Sequence, residues 1–167
     1  IDDVDVQITA SLQKVLTFYL KYTTNNTDIV ENGVLLLLLR EVFQTDIIND
    51  ATRKTLEKEL KFHQMPFHFM LKVGGDKKIY RNIPTSIFIP IMESHLRECR
   101  CVADGNYLLV FLARKSNTLF LPEELKWIEL FLTENSLCIG MSNPFRAVSD
   151  LKRANYQASH ALNLGLK

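Results

Sequence analysis

The sequence has no marked excess of charge of one sign, no long hydrophobic run and no recognisable leader. Lysine and arginine number 20 against 19 aspartates and glutamates, so the basic surplus that phosphate-backbone binding demands is missing. The apolar run at residues 34–39 is far shorter than the roughly 20 residues of a membrane-spanning helix. No charged and apolar leader opens the chain, which begins at Ile1 without an initiator methionine. We therefore expect a soluble, cytoplasmic piece of a longer protein that contacts neither membrane nor nucleic acid directly.

Cysteines and histidines are too few and too scattered to predict a reactive or metal-binding centre. Cys99 and Cys101 are two residues apart, so in an extended segment they lie on the same face. We interpret them, together with Cys138, as reduced thiols of the core. The Cys99–Cys101 pair could in principle hold a metal instead. The four histidines are His63, His68, His95 and His160. None has the spacing of a metal site, and the sequence contains neither a catalytic serine signature nor a glycine-rich phosphate loop. No catalytic, cofactor-binding or metal-binding residue is predicted.

The opening 50 residues are predicted to form a helical linker or dimerisation segment. Ile8, Leu12, Val15, Tyr19 and Tyr22 recur at steps of four and three, which is typical of a helix with one apolar stripe. This stripe is a candidate dimer seam, and it is equally consistent with an ordinary face turned towards a core. Residues 29–43 are predicted to form a second helix.

Residues 51–167 are predicted to form an α+β domain with a mixed or antiparallel sheet. Helices are expected at 52–62, 83–98 and 121–135 and from Ser149 onwards, and strands at 67–73, 99–103, 107–113 and 137–141. The helix at 121–135 should bury Leu125, Ile128 and Leu132, with Trp127 either in the core or exposed as an anchor. This order predicts one sheet covered by helices, with a hairpin in its middle.

The end of the chain resembles a known family. Its tail reads Ile-Gly-Met-Ser-Asn-Pro-Phe at 139–145, followed by Leu151, Ala154, Ala158, Ala161 and Leu162 before Gly165. This pattern resembles the degenerate GGDEF-like middle domain of PucR and CdaR type bacterial transcriptional regulators. Two features upstream agree with the same family, namely Leu-Leu-Arg-Glu-Val-Phe at 38–43 and the hairpin Asp-Gly-Asn at 104–106. The resemblance covers residues 34–166 and implies a nucleotide-cyclase-like core.

The resemblance also implies that this core has lost its catalytic groups. In active GGDEF cyclases the hairpin carries glycines that admit GTP and two carboxylates that serve metal binding and catalysis. Here it reads Asp104, Gly105, Asn106 and Tyr107, and aligning Tyr107 with the family's phenylalanine puts Gly105 and Asn106 in place of both carboxylates. Asp76, near the end of the first strand, is the only acid near the family's other metal position, and Gly-Gly-Asp is ordinarily a turn.

We therefore expect a non-catalytic regulatory and dimerisation domain, without a cofactor, that couples effector sensing to a C-terminal helix-turn-helix outside this chain. A homodimer is the expected assembly, with DNA bound only through that other domain. Two alternatives remain open. One is a nucleotide-binding or residually active cyclase-like enzyme. The other is a sensor with a small-molecule pocket between the opening helices and the sheet.

Overall fold

A computed structural model describes residues 32–75 and 83–166 of the chain. The candidate dimer seam at Ile8, Leu12, Val15, Tyr19 and Tyr22 lies outside the described residues, and so does Asp76. The chain divides into two compact units, Ile1–Val34 and Leu35–Lys167, and the sheet belongs to the second. This second unit begins at Leu35, so it includes residues 35–50, which were predicted to belong to the helical segment before the α+β domain.

The described residues form five helices and four strands, which confirms the α+β class. The helices are α1 at residues 32–44, α2 at Asp50–Glu59, α3 at Thr85–His95, α4 at Pro122–Glu134 and α5 at Leu151–Gly165, with a 3-10 turn at Val148–Asp150 before α5. The strands are β1 at Phe67–Gly75, β2 at Cys99–Asp104, β3 at Tyr107–Arg114 and β4 at Leu137–Met141. None of the helices in the described part of the chain is both long and apolar enough to cross a membrane.

The four strands form one antiparallel sheet in the order β2-β3-β1-β4. Two β-α-β units, β1-α3-β2 and β3-α4-β4, are interleaved so that each crossover skips over one strand, which is the split β-α-β arrangement. The apolar strand β3 is central, as its sequence predicts. Its hairpin partner β2 lies at the edge, so the expectation of a hairpin in the middle of the sheet is wrong for β2.

Both faces of the sheet are covered by helices. Alternate residues of a strand point to opposite faces, so Phe69, Leu71 and Val73 of β1 pack with α3 and α4, while Met70 packs with α1, α2 and α5. α1 takes part in this second layer through residues such as Leu39, which is fully buried. Burial on both faces explains why β1 and β3 are almost continuously apolar.

The buried stripe of α4 differs from the predicted one. Ile128 is buried as expected and Leu132 is partly buried, but Leu125 is 43% exposed and the neighbouring Glu124 is 2% exposed. The physical reason is an ion pair between Glu124 and Arg114 of β3, which turns the acidic residue inwards. The prediction that Leu125 is buried is therefore wrong, and the preceding residue, Glu124, is buried in its place.

α5 lies unusually close to the sheet, as the small residues of its stripe predict. A Cβ atom added to Gly140 of β4 would lie 2.0 Å from the carbonyl oxygen of Ala158 and 2.4 Å from the amide nitrogen of Leu162. Only glycine leaves room for this contact between backbones. The close approach fixes the C-terminal helix over β4 and β1.

Candidate functional site

The β2–β3 hairpin, which carries the degenerate motif, closes through two loop residues, Gly105 and Asn106. Asp104 and Tyr107 face each other at the end of the ladder. Gly105 has a φ of 60°, and a positive φ at the first position of a two-residue loop favours glycine. The local sequence therefore explains the tight turn, which holds Asp104 and Tyr107 on neighbouring strands.

The carboxylate of Asp104 is bound by a guanidinium group from α1. Arg40 donates to Asp104 Oδ1 from Nη2 at 2.7 Å and from Nε at 3.2 Å. The Asp104 side chain is 24% exposed and that of Arg40 is 49% exposed. An exposed pair of this kind stabilises a protein by at most about 1 kcal/mol, so its effect is mainly to orient the two groups.

Lys72 of β1 is the second cation beside the hairpin. Its Nζ donates to Ser159 Oγ of α5 at 3.1 Å and lies 4.5 Å from the centre of the Tyr107 ring. Burial lowers the pKa of Lys72, and the nearby charge of Asp104 partly opposes this shift. We call Arg40, Lys72, Asp104, Tyr107 and Ser159 the hairpin cluster, because they join the hairpin to α1, β1 and α5.

Only part of this cluster is predicted by the sequence. Asp104 and Tyr107 belong to the predicted motif and lie in the cluster, and Gly105 and Asn106 form the loop. Arg40, Lys72 and Ser159 were not predicted, because Arg40 is separated from Asp104 by 64 residues and Lys72 from Ser159 by 87. The one available signal was Lys72 itself, a cation within a strand that is otherwise mostly apolar.

Arg114 and Glu124 form a second polar group, and it is fully buried. Glu124 accepts hydrogen bonds from Arg114 Nη2 at 2.9 Å, from the Leu121 amide at 2.9 Å and from the Arg97 amide at 2.8 Å. Arg114 also donates to the carbonyl oxygens of Leu119 and Arg97. These bonds join the end of β3, the segment before β2 and the start of α4. A buried pair whose polar groups are satisfied in this way supports a structural role.

His68 is a core histidine. It is 2% exposed, its Nε2 donates to the Leu60 carbonyl oxygen at 3.0 Å, and its ring stacks on Phe62 at 4.0 Å. Nδ1 is buried and has no hydrogen-bond partner in the part of the chain that the structure describes, and burial lowers the pKa of His68. The imidazole therefore joins the end of α2 to β1 in its neutral form.

Trp127 packs in a ring stack on the α3/α4 face. Its ring lies 4.4 Å from that of His95 and 5.0 Å from that of Phe131, and it is partly buried. Of the two interpretations left open by the sequence, packing against the core is the correct one.

Among residues 32–75 and 83–166, no group of three or more histidine, cysteine or acidic side chains is arranged to hold a metal ion. Comparison with protein-family models, with curated proteins and with solved structures finds no match.

Proposed function

We propose that this chain is a non-catalytic regulatory and dimerisation domain of a cytoplasmic bacterial transcriptional regulator. It couples effector sensing to a DNA-binding helix-turn-helix that lies outside the chain. The observation that carries the proposal is the hairpin cluster, in which the hairpin's one carboxylate is engaged by an arginine and contacts reach from α1 to α5.

The charges beside the hairpin favour a role without catalysis. Phosphoryl transfer on a nucleoside triphosphate needs carboxylates that hold divalent metal ions. Asp104 is the carboxylate of the hairpin motif, and its Oδ1 is held by Arg40 at 2.7 Å. Lys72 adds a second positive charge in the same place. A metal ion at this position would have to displace a guanidinium and approach an ammonium group.

The connectivity of the cluster supports a role in coupling. Arg40 belongs to α1, the first helix described, and Ser159 belongs to α5, the last helix described. Contacts run from Arg40 to Asp104, and from Lys72 to both Tyr107 and Ser159. If α1 shifts relative to the sheet, the hold of Arg40 on Asp104 changes, and with it the charge beside Lys72. That change in turn acts on the contact between Lys72 and Ser159 of α5. The cluster therefore links α1 to α5 through the hairpin and Lys72, with the charge of Asp104 near Lys72 as the connecting step.

Hydrogen exchange of the intact chain tests the coupling. Arg40→Ala removes the guanidinium from Asp104, so we expect faster exchange in the hairpin and also in α5 around Ser159. Arg53→Ala is the matched control, because Arg53 forms an exposed ion pair with Asp50 inside α2 at 3.5 Å. Exchange that changes in α1 and the hairpin alone, with α5 unaffected, would contradict the coupling.

Sedimentation tests the dimer. Leu12→Glu and Val15→Glu place charges on the candidate seam, and we expect both variants to shift the chain from dimer to monomer. Gln13→Glu, at a polar position between them, should leave the sedimentation coefficient unchanged. If all three variants sediment like the unmodified chain, the seam is not the dimer contact.

A further inference from the structure

The two cysteines of the edge strand β2 have their sulfur atoms in direct contact. Cys99 Sγ and Cys101 Sγ are 3.6 Å apart, and both thiols are free. Cys99 is half-buried, whereas Cys101 is fully buried against the α3/α4 core. The pair therefore consists of one partly exposed cysteine, Cys99, and one buried cysteine, Cys101, whose sulfurs touch.

The surroundings of Cys101 keep it protonated. Its hydrogen bond with Cys99 and its burial raise the pKa of the Cys101 thiol. The Cys101 amide, on the same residue, donates to Glu93 Oε1 of α3 at 2.7 Å, which holds this part of the strand in place. Cys99, the more exposed of the two residues, is thus the one expected to react first with a small oxidant.

We propose that Cys99 and Cys101 form a redox modification site, at which a hydroperoxide converts the two thiols into a reversible Cys-x-Cys disulfide. The Cys99 thiolate attacks the peroxide, takes up one oxygen atom as sulfenic acid and releases hydroxide or alkoxide. Cys101 then gives up its thiol proton and attacks the Cys99 sulfur as the thiolate, so that the S–S bond forms, the S–O bond breaks, and the sulfenic oxygen leaves as water with that proton. The protein loses two electrons and the hydroperoxide accepts them.

The geometry permits this bond and gives it a structural consequence. Alternate Cα atoms of an extended strand lie about 6.6 Å apart, at the upper end of the range that disulfides span. The sulfurs must approach by about 1.6 Å to reach bonding distance, so the strand has to contract around Arg100. Among the described residues β2 pairs with β3 alone, and an edge strand can contract at the expense of that one ladder. Oxidation should therefore loosen the β2–β3 pairing.

Peptide mapping of the intact chain after treatment with hydrogen peroxide tests the proposal. Trypsin cleaves after Arg97, Arg100 and Arg114, so it separates the two cysteines unless a disulfide joins peptides 98–100 and 101–114. We expect these joined peptides, a fall from three free thiols to one in the unfolded protein, and full reversal by dithiothreitol. Hydrogen exchange of β2 should be faster in the oxidised chain.

Two variants provide the controls. Cys99→Ser should abolish the joined peptides, while Cys138→Ser should leave them unchanged, since Cys138 lies in β4 at the opposite edge of the sheet. Joined peptides that contain Cys138, a disulfide between two chains through Cys99, or Cys99 oxidised to sulfinic acid without a disulfide would each overturn the proposal.

Discussion

Gly140→Ala should destabilise the chain strongly, because β4 and α5 meet there backbone to backbone. The added methyl carbon would lie 2.0 Å from the Ala158 carbonyl oxygen and 2.7 Å from Leu162 Cβ. Non-bonded atoms normally stay about 3.5 Å apart, so α5 has to move by about 1 Å or more. Overpacking usually costs about 1–3 kcal/mol, and the upper end applies because the nearest atom belongs to rigid backbone.

Urea denaturation followed by tryptophan fluorescence measures this loss, since Trp127 is the only tryptophan in the chain. We expect the free energy of unfolding of Gly140→Ala to fall by about 3 kcal/mol with an unchanged urea dependence. Gly165→Ala is the matched control on α5, because no atom of residues 32–75 or 83–166 lies within 4 Å of its added carbon. It should be neutral or slightly stabilising. A Gly140→Ala variant within about 0.5 kcal/mol of the unmodified chain would refute the described packing of α5 on β4.

Three further predictions concern charged and titratable groups. Glu124→Ala leaves Arg114 buried without its carboxylate and should cost about 3–5 kcal/mol in urea denaturation, whereas a loss below about 1 kcal/mol would contradict the buried pair. Asp104→Asn, at an exposed pair with Arg40, should cost at most about 1 kcal/mol in the same assay, and a larger loss would mean that the pair is more than an orienting contact. Because the folded pKa of His68 is lowered, the unfolded chain binds its proton more readily. The stability that neutral His68 contributes is complete above pH 6.5 and is lost as the pH falls below it, by up to about 1.4 kcal/mol per pH unit. His68→Phe should remove this contribution to the pH dependence of the free energy of unfolding. An identical pH dependence in the variant and the unmodified chain would contradict it.

Periodicity and turn chemistry predicted most elements of the sheet. The strand at 137–141 has the predicted bounds, and the Asp-Gly-Asn sequence at 104–106 predicted the hairpin. These features depend on neighbouring residues, so a local pattern is sufficient to find them. Pro90 lies inside α3, within the helix predicted at 83–98, although proline ordinarily begins or kinks a helix.

Features that depend on distant contacts were not predictable in this way. Whether α4 buries Leu125 or Glu124 is decided by Arg114, which lies on another element and holds the carboxylate in the core. The position of β2 at the edge of the sheet follows from β1 inserting between β3 and β4, and a linear order of elements does not specify that choice. The hairpin cluster brings together residues from five elements, so only its hairpin members could be recognised from the sequence.

Titration of the intact chain with GTP and Mg²⁺, with calorimetry and analysis of the nucleotide products, tests whether the domain is non-catalytic. We expect no conversion of GTP, because the hairpin offers one carboxylate and Arg40 holds it at 2.7 Å. Asp104→Asn serves as the matched comparison and should behave in the same way. Turnover of GTP by the unmodified chain that disappears in Asp104→Asn would contradict the claim and make Asp104 a catalytic residue.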